Sequence, residues 1–131
     1  MNTNTQEDLG KLVLRVTLGV LVLLHGIAKI TGGVEGIEGM LAGQGLPREL
    51  AYGAYVGEVL GPILVIAGFH ARVGAVLIAI NMLFAIWLAH MGELTRLGDQ
   101  GGWALELQGM YLGTAVAIAL IGAGRYSING R

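Results

Sequence analysis

Between Gly53 and Phe69 the chain reads GAYVGEVLGPILVIAGF, an apolar run interrupted by one carboxylate, Glu58. An ionisable group at bilayer depth costs about 2.5–3.5 kcal/mol on insertion scales, so Glu58 is expected to face protein or water, not lipid. Gly53, Gly57 and Gly61 recur every fourth residue and form a bare strip on which another helix can approach. Pro62 predicts a kink beside the acid. The question for the rest of the chain is what surrounds Glu58.

A membrane setting follows from composition. The 131 residues are 54% hydrophobic and 13% charged, with 23 glycines and a mean hydropathy of +0.68, whereas soluble domains carry about 25% charged residues. The net charge of −1 leaves no basic stripe to neutralise phosphates, which argues against nucleic acid. Cysteine is absent, so thiolate metal sites and disulfides are excluded and any redox chemistry needs a bound cofactor or a partner. The polar, acidic start MNTNTQED is unlike a secretory signal, so the first apolar helix is expected to remain in the mature chain.

Four stretches reach the roughly 20 residues that cross a hydrocarbon core, at about 10–31, 51–69, 72–91 and 103–124. The expectation is therefore an all-α integral membrane four-helix bundle, a single domain over 1–131 with four transmembrane helices. The first outer loop should add a short interfacial helix, because Val34, Ile37, Met40 and Leu41 recur at near-helical spacing. Lys11, Arg15, Arg72, Arg125 and Arg131 fall on one side and Lys29, Arg48 and Arg96 on the other. That bias places both termini on the cytoplasmic side. Lys11 and Arg15 are read as snorkelling to the interface, and Trp87 and Trp103 as an aromatic belt.

On this topology the intramembrane polar groups gather toward the outer face. His25 and Glu58 lie at one depth on neighbouring antiparallel helices and are expected to pair. Lys29 is one turn further out on the face of His25. His90 ends the third span and Glu106 opens the fourth, so each hairpin offers a His and a Glu, with Leu24-His25-Gly26 echoed by Ala89-His90-Met91-Gly92 as in a parallel repeat. The ligand or proton site is thus His25, Lys29, Glu58, His90 and Glu106. Asn81 is read as a helix-to-helix hydrogen bond, and Gly109 with Gly113 as a close crossing. Gln108 lies about 200° from Glu106 around the helix. Two ligands per His/Glu pair make a poor metal site, so no metal is expected and proton transfer suits them better. No residue set indicates a catalytic nucleophile.

The stretches LRVTLGVLVLLHGIAKITGG at Leu14–Gly33, the GLP turn at Gly45–Pro47, GEVLGPILVIAGFHARVGA at Gly57–Ala75 and GAGRYSI at Gly122–Ile128 resemble the DoxX family of small four-helix bacterial membrane proteins. The family takes its name from subunits of a thiosulfate:quinone oxidoreductase or quinol oxidase assembly. The resemblance picks out His25, Lys29, Glu58 and Arg72, and leaves His90 resting on topology alone. It implies a small inner-membrane subunit or quinone-associated component of a redox system, with no intrinsic cofactor and quinone as the ligand. The implied partners are lipid bilayer and redox proteins. Two other readings stand beside it: a small proton-coupled transporter of the small multidrug resistance type acting as a homodimer, which is the homo-oligomer among the expected partners, and a non-catalytic membrane scaffold.

Overall fold

A computed structural model describes residues 3–89, 92, 95–97 and 101–129. Among these the protein is all-α, in five helices: α1 (Thr3–Gly32), α2 (Glu35–Gly43), α3 (Arg48–Ala67), α4 (Ala71–Ala89) and α5 (Glu106–Ile121). The short helix expected in the first loop is α2. Three helices are long and apolar enough to cross a membrane, at Asn4–Gly32, Arg48–Ala67 and Ala71–Leu88. The fourth expected span is shorter than 103–124, because α5 has 16 residues and rises only about 24 Å against a core of about 30 Å. Residues Trp103 to Leu105 form its entry turn, with the Glu106 N–H donating to the Trp103 carbonyl. Gly122 ends the helix at φ +80°, a conformation suited to glycine.

The helices adjoin in the order α1, α3, α4, α5, with α5 returning to α1. Their shared core contains Leu18, Val22, Val65, Ile78, Met82, Tyr111, Ala115 and Ile118. A second cluster joins Val34, just before α2, and Leu41 of α2 to Ala51 of α3, with Tyr55 and Leu88 packed against it. The large apolar residues left exposed, such as Val13, Leu24, Ile80 and Leu120, are spread over the flanks of the bundle, where lipid is their natural solvent.

Close approach at glycine sets the seams. A Cβ at Gly19 would strike Ile66 and one at Gly26 would strike the carbonyl of Glu58, so α1 presses on α3 at two points seven residues apart. Between α3 and α4, a Cβ at Gly57 would strike the Asn81 side chain, and Gly61 and Gly74 sit against each other's carbonyl oxygens. Of the expected strip, Gly57 and Gly61 pack this way whereas Gly53 faces open space. Asn81 packs across the α3/α4 seam as van der Waals surface against Gly57, and among the described residues the helix-to-helix hydrogen bond expected of it is not made. The Gly109/Gly113 crossing is not formed: Gly109 lies under the Trp103 ring and Gly113 has no neighbour at its Cβ position. The GxxxG pattern is satisfied by a local aromatic contact instead of a second helix.

Arg15 corrects a further expectation. It does not snorkel but is 1% exposed, enclosed at one end of the bundle. Its guanidinium donates to the carbonyls of Val65 (2.9 Å), Ile66 (3.1 Å), Ala123 (2.8 Å) and Tyr126 (2.9 Å). These oxygens belong to the last turn of α3 and the strand of chain leaving α5, where helical carbonyls lack intrahelical donors and carry partial negative charge. The residues after α5 are held further by the Ile128 and Asn129 N–H groups, which donate to the Ala67 and Gly68 carbonyls. Gly68 itself, at φ +71°, leaves the space that Arg15 and Ser127 occupy. Arg15→Ala leaves four carbonyls short of donors at about 1–3 kcal/mol for each buried group that stays unmet. It should lower unfolding stability in detergent by about 3 kcal/mol or more, and Arg15→Lys, with no fork of donors, should recover less than half of that.

Candidate functional site

Pro62 shapes the position of Glu58. A proline has no N–H and its ring collides with the carbonyl four residues earlier, which here is that of Glu58. The helix responds by widening: Val56–Leu60 is a π turn, and regular α-helix resumes at Gly61. In this i→i+5 register the Gly61 N–H donates to the Val56 carbonyl, just before the proline. The kink expected at Pro62 is thus taken up as this wider turn, which turns Glu58 inward while its backbone lies against Gly26 of α1.

The carboxylate meets Lys29. Nζ of Lys29 donates to Oε1 of Glu58 at 2.7 Å, with side chains 26% and 6% exposed. The hydroxyl of Tyr55 donates to the Lys29 carbonyl at 3.1 Å, which fixes the end of α1 against α3 beside the ion pair. The expected His25 to Glu58 pairing is not what the structure shows. His25 is exposed, its Nδ1 hydrogen-bonds the Leu21 carbonyl at 2.9 Å, and its ring meets Tyr111 edge-on at 5.8 Å. The longer Lys29 side chain reaches Glu58 from one turn further along, and a full cation neutralises a buried carboxylate better than an imidazole bonded to its own helix.

Beside the pair opens a cavity of about 460 Å³. His25 and Lys29 of α1, Gly57 and Glu58 of α3, Asn81 and Met82 of α4, and Gln108 and Tyr111 of α5 line it, and Ile37 and Met40 of α2 cover one side. The rest of its wall is aliphatic or aromatic, including Val22, Leu77, Phe84 and Leu88. Drug-sized and cofactor sites commonly have about 300–1,000 Å³ and this character, apolar walls with a few polar groups. Three of the expected site residues, His25, Lys29 and Glu58, therefore share one chamber. His90 lies outside the described residues. Glu106 is corrected: it is exposed in the first turn of α5, folded back toward Gly102, and does not line the cavity. Among the described residues no group of three or more His, Cys, Asp or Glu is placed to hold a metal.

The sequence sets Gln108 against Glu106 only by angle and assigns neither Gln108 nor Tyr111 to the site. Three residues apart, they share a face of α5, and that face lies nearly opposite Glu106. Only one of the two faces, that of Glu106 or that of Gln108 and Tyr111, can turn inward, and the apolar setting of Tyr111, Ala115 and Ile118 shows it is the second.

The family model for DoxX matches residues 10–91, a stretch that runs from α1 through α4 and includes Arg15, Lys29 and Glu58. The chain belongs to the DoxX family, and its apolar helices make it a multi-pass membrane protein. A relative from Bacillus subtilis (strain 168), named "Putative oxidoreductase CatD", is 35% identical over 83 residues, 63% of this chain. The match spans 61% of that relative's length. No solved structure matches the chain.

If Lys29 and Glu58 meet as described, a thermodynamic cycle on Lys29→Leu, Glu58→Leu and the double substitution should give a coupling above about 1 kcal/mol. The same cycle with His25→Leu and Glu58→Leu should give less than about 0.5 kcal/mol. Thermal unfolding in detergent measures both, and the reverse order would restore the histidine as the partner.

Proposed function

We propose that the protein is a small subunit of a bacterial inner-membrane redox system that holds a quinone in the cavity beside Lys29 and Glu58. The observation that carries this is a charged, hydrogen-bonding pair on the wall of an otherwise apolar chamber inside a membrane bundle. A quinone needs that combination, with apolar surface for its ring and substituents and a donor for its oxygen. The redox setting draws on family membership and on the oxidoreductase name of the Bacillus relative. Lys29 supplies the donor, Glu58 keeps Lys29 in place and accepts a proton from a quinol hydroxyl, and His25 stands at the rim as a proton carrier toward solvent. In this reading α5 completes a four-span bundle and both termini are cytoplasmic.

A photoreactive quinone analogue supplied to the protein in native lipid should label α3 and α4 residues of the chamber, read by peptide mass spectrometry. Excess unlabelled quinone should suppress the adducts, and Glu58→Gln should reduce them about tenfold. Labelling that is spread over the lipid-facing flanks, with no competition, would remove the basis for the site.

The orientation is tested separately. The chain has no cysteine of its own, so single cysteines at the exposed positions Gly43 and Ile128 report cleanly. An impermeant thiol reagent applied to intact cells should modify the first and spare the second, and labelling at Ile128 alone would invert the topology.

A further inference from the structure

Two side chains on the chamber wall are left unused by that reading. Asn81 of α4 and Gln108 of α5 both line the cavity and are half-buried. Among the described residues neither side-chain amide has a hydrogen-bond partner, and neither is sealed away from the open space. An amide without a partner in apolar surroundings is costly, so such groups are normally satisfied by protein, water or ligand. Here the accessible side is the chamber.

They come from the two helices that do not carry the ion pair. In the ring of helices α1, α3, α4, α5, Lys29 and Glu58 occupy the α1/α3 side, whereas Asn81 and Gln108 stand on the α4/α5 side. Asn81 is also held in position, because its side chain packs on Gly57 with no room for a Cβ between them. The chamber thus draws polar groups from all four helices, the ion pair from α1 and α3 and the amides from α4 and α5, within an otherwise apolar lining.

We infer that Asn81 and Gln108 bind the second oxygen of a ring that carries oxygens at opposite ends, the first being taken by Lys29 and Glu58. The inference rests on the quinone reading and deepens it by assigning the residues that select a two-oxygen head over a one-oxygen head. A side-chain amide suits both oxidation levels, since its NH₂ donates to a quinone carbonyl and its C=O accepts from a quinol hydroxyl. Lys29 and Glu58 offer the same donor and acceptor choice at the other end. The chamber should accordingly reject phenols and simple ketones of equal size.

Two probes decide it: a decyl-substituted hydroquinone and the corresponding decylphenol, which lacks the second oxygen, each titrated against the full chain in nanodiscs. The native protein should prefer the hydroquinone about tenfold, the equivalent of one good hydrogen-bonded contact. Asn81→Leu and Gln108→Leu should each weaken hydroquinone binding about fivefold or more while leaving the phenol within about twofold. Because Asn81 sits in a helix seam and its variant could fail to fold, Gln108→Leu alone is sufficient for the decision. Equal losses for both probes, or no loss for either, would overturn the assignment and leave the quinone site standing. If the native protein binds neither probe, the quinone reading falls and this inference falls with it.

Discussion

A guanidinium with no carboxylate partner among the described residues closes one end of this bundle. Arg15 is enclosed and bonded to four backbone carbonyls drawn from α3 and from the chain after α5. Buried charge is tolerable only where its donors are met, and helix C-termini supply both the acceptors and a favourable dipole. The arrangement connects α1 to segments 50 and 108 residues further on, so it can form only when the whole chain has folded. The glycine seams at Gly19, Gly26, Gly57, Gly61 and Gly74 then follow the helices away from that closed end, and the chamber opens where the seams stop.

Glu58 shows how local and tertiary constraints cooperate. Proline in a helix usually costs stability, yet Pro62 generates the π turn that turns an acid inward, and π turns recur at functional positions. The acid is accepted there because Lys29 arrives from α1 and Tyr55 secures the backbone from which Lys29 extends. Either residue alone would be an expensive passenger in hydrocarbon. Together they furnish a polar wall that remains available to a guest.

Much of the architecture was legible in the sequence because apolar run length is a strong signal. The helical class follows from it, the loop helix α2 from apolar spacing, and the inward placement of Glu58 from the cost of a charge in hydrocarbon. What was not legible depended on side-chain reach. His25, matched to Glu58 in depth, and Lys29, one turn further out with a longer reach, are rival partners for it, and only the geometry of α1 against the π turn favours the lysine. Arg15 looks like an interfacial cation until the carbonyls that receive it are known, and those come from distant sequence. The spacing Gly109-x-x-x-Gly113 promised a helix crossing, but Trp103 took the space over Gly109. Glu106 was read as an inward acid although the angle to Gln108 already required one of them to face outward.

The two charged locks differ in what can undo them. Lys29 to Glu58 is an ion pair, and a single proton delivered to the carboxylate, or a competing oxygen offered to the ammonium, releases it. The Arg15 lock has no acidic member, and neither backbone carbonyl nor guanidinium titrates in the physiological range. Along α1 the two are separated by fourteen residues, about 21 Å of helix. The bundle is consequently built like a clothes peg, with a permanent fulcrum at one end and jaws at the other that chemistry can loosen, so any breathing this protein undergoes belongs to the jaws.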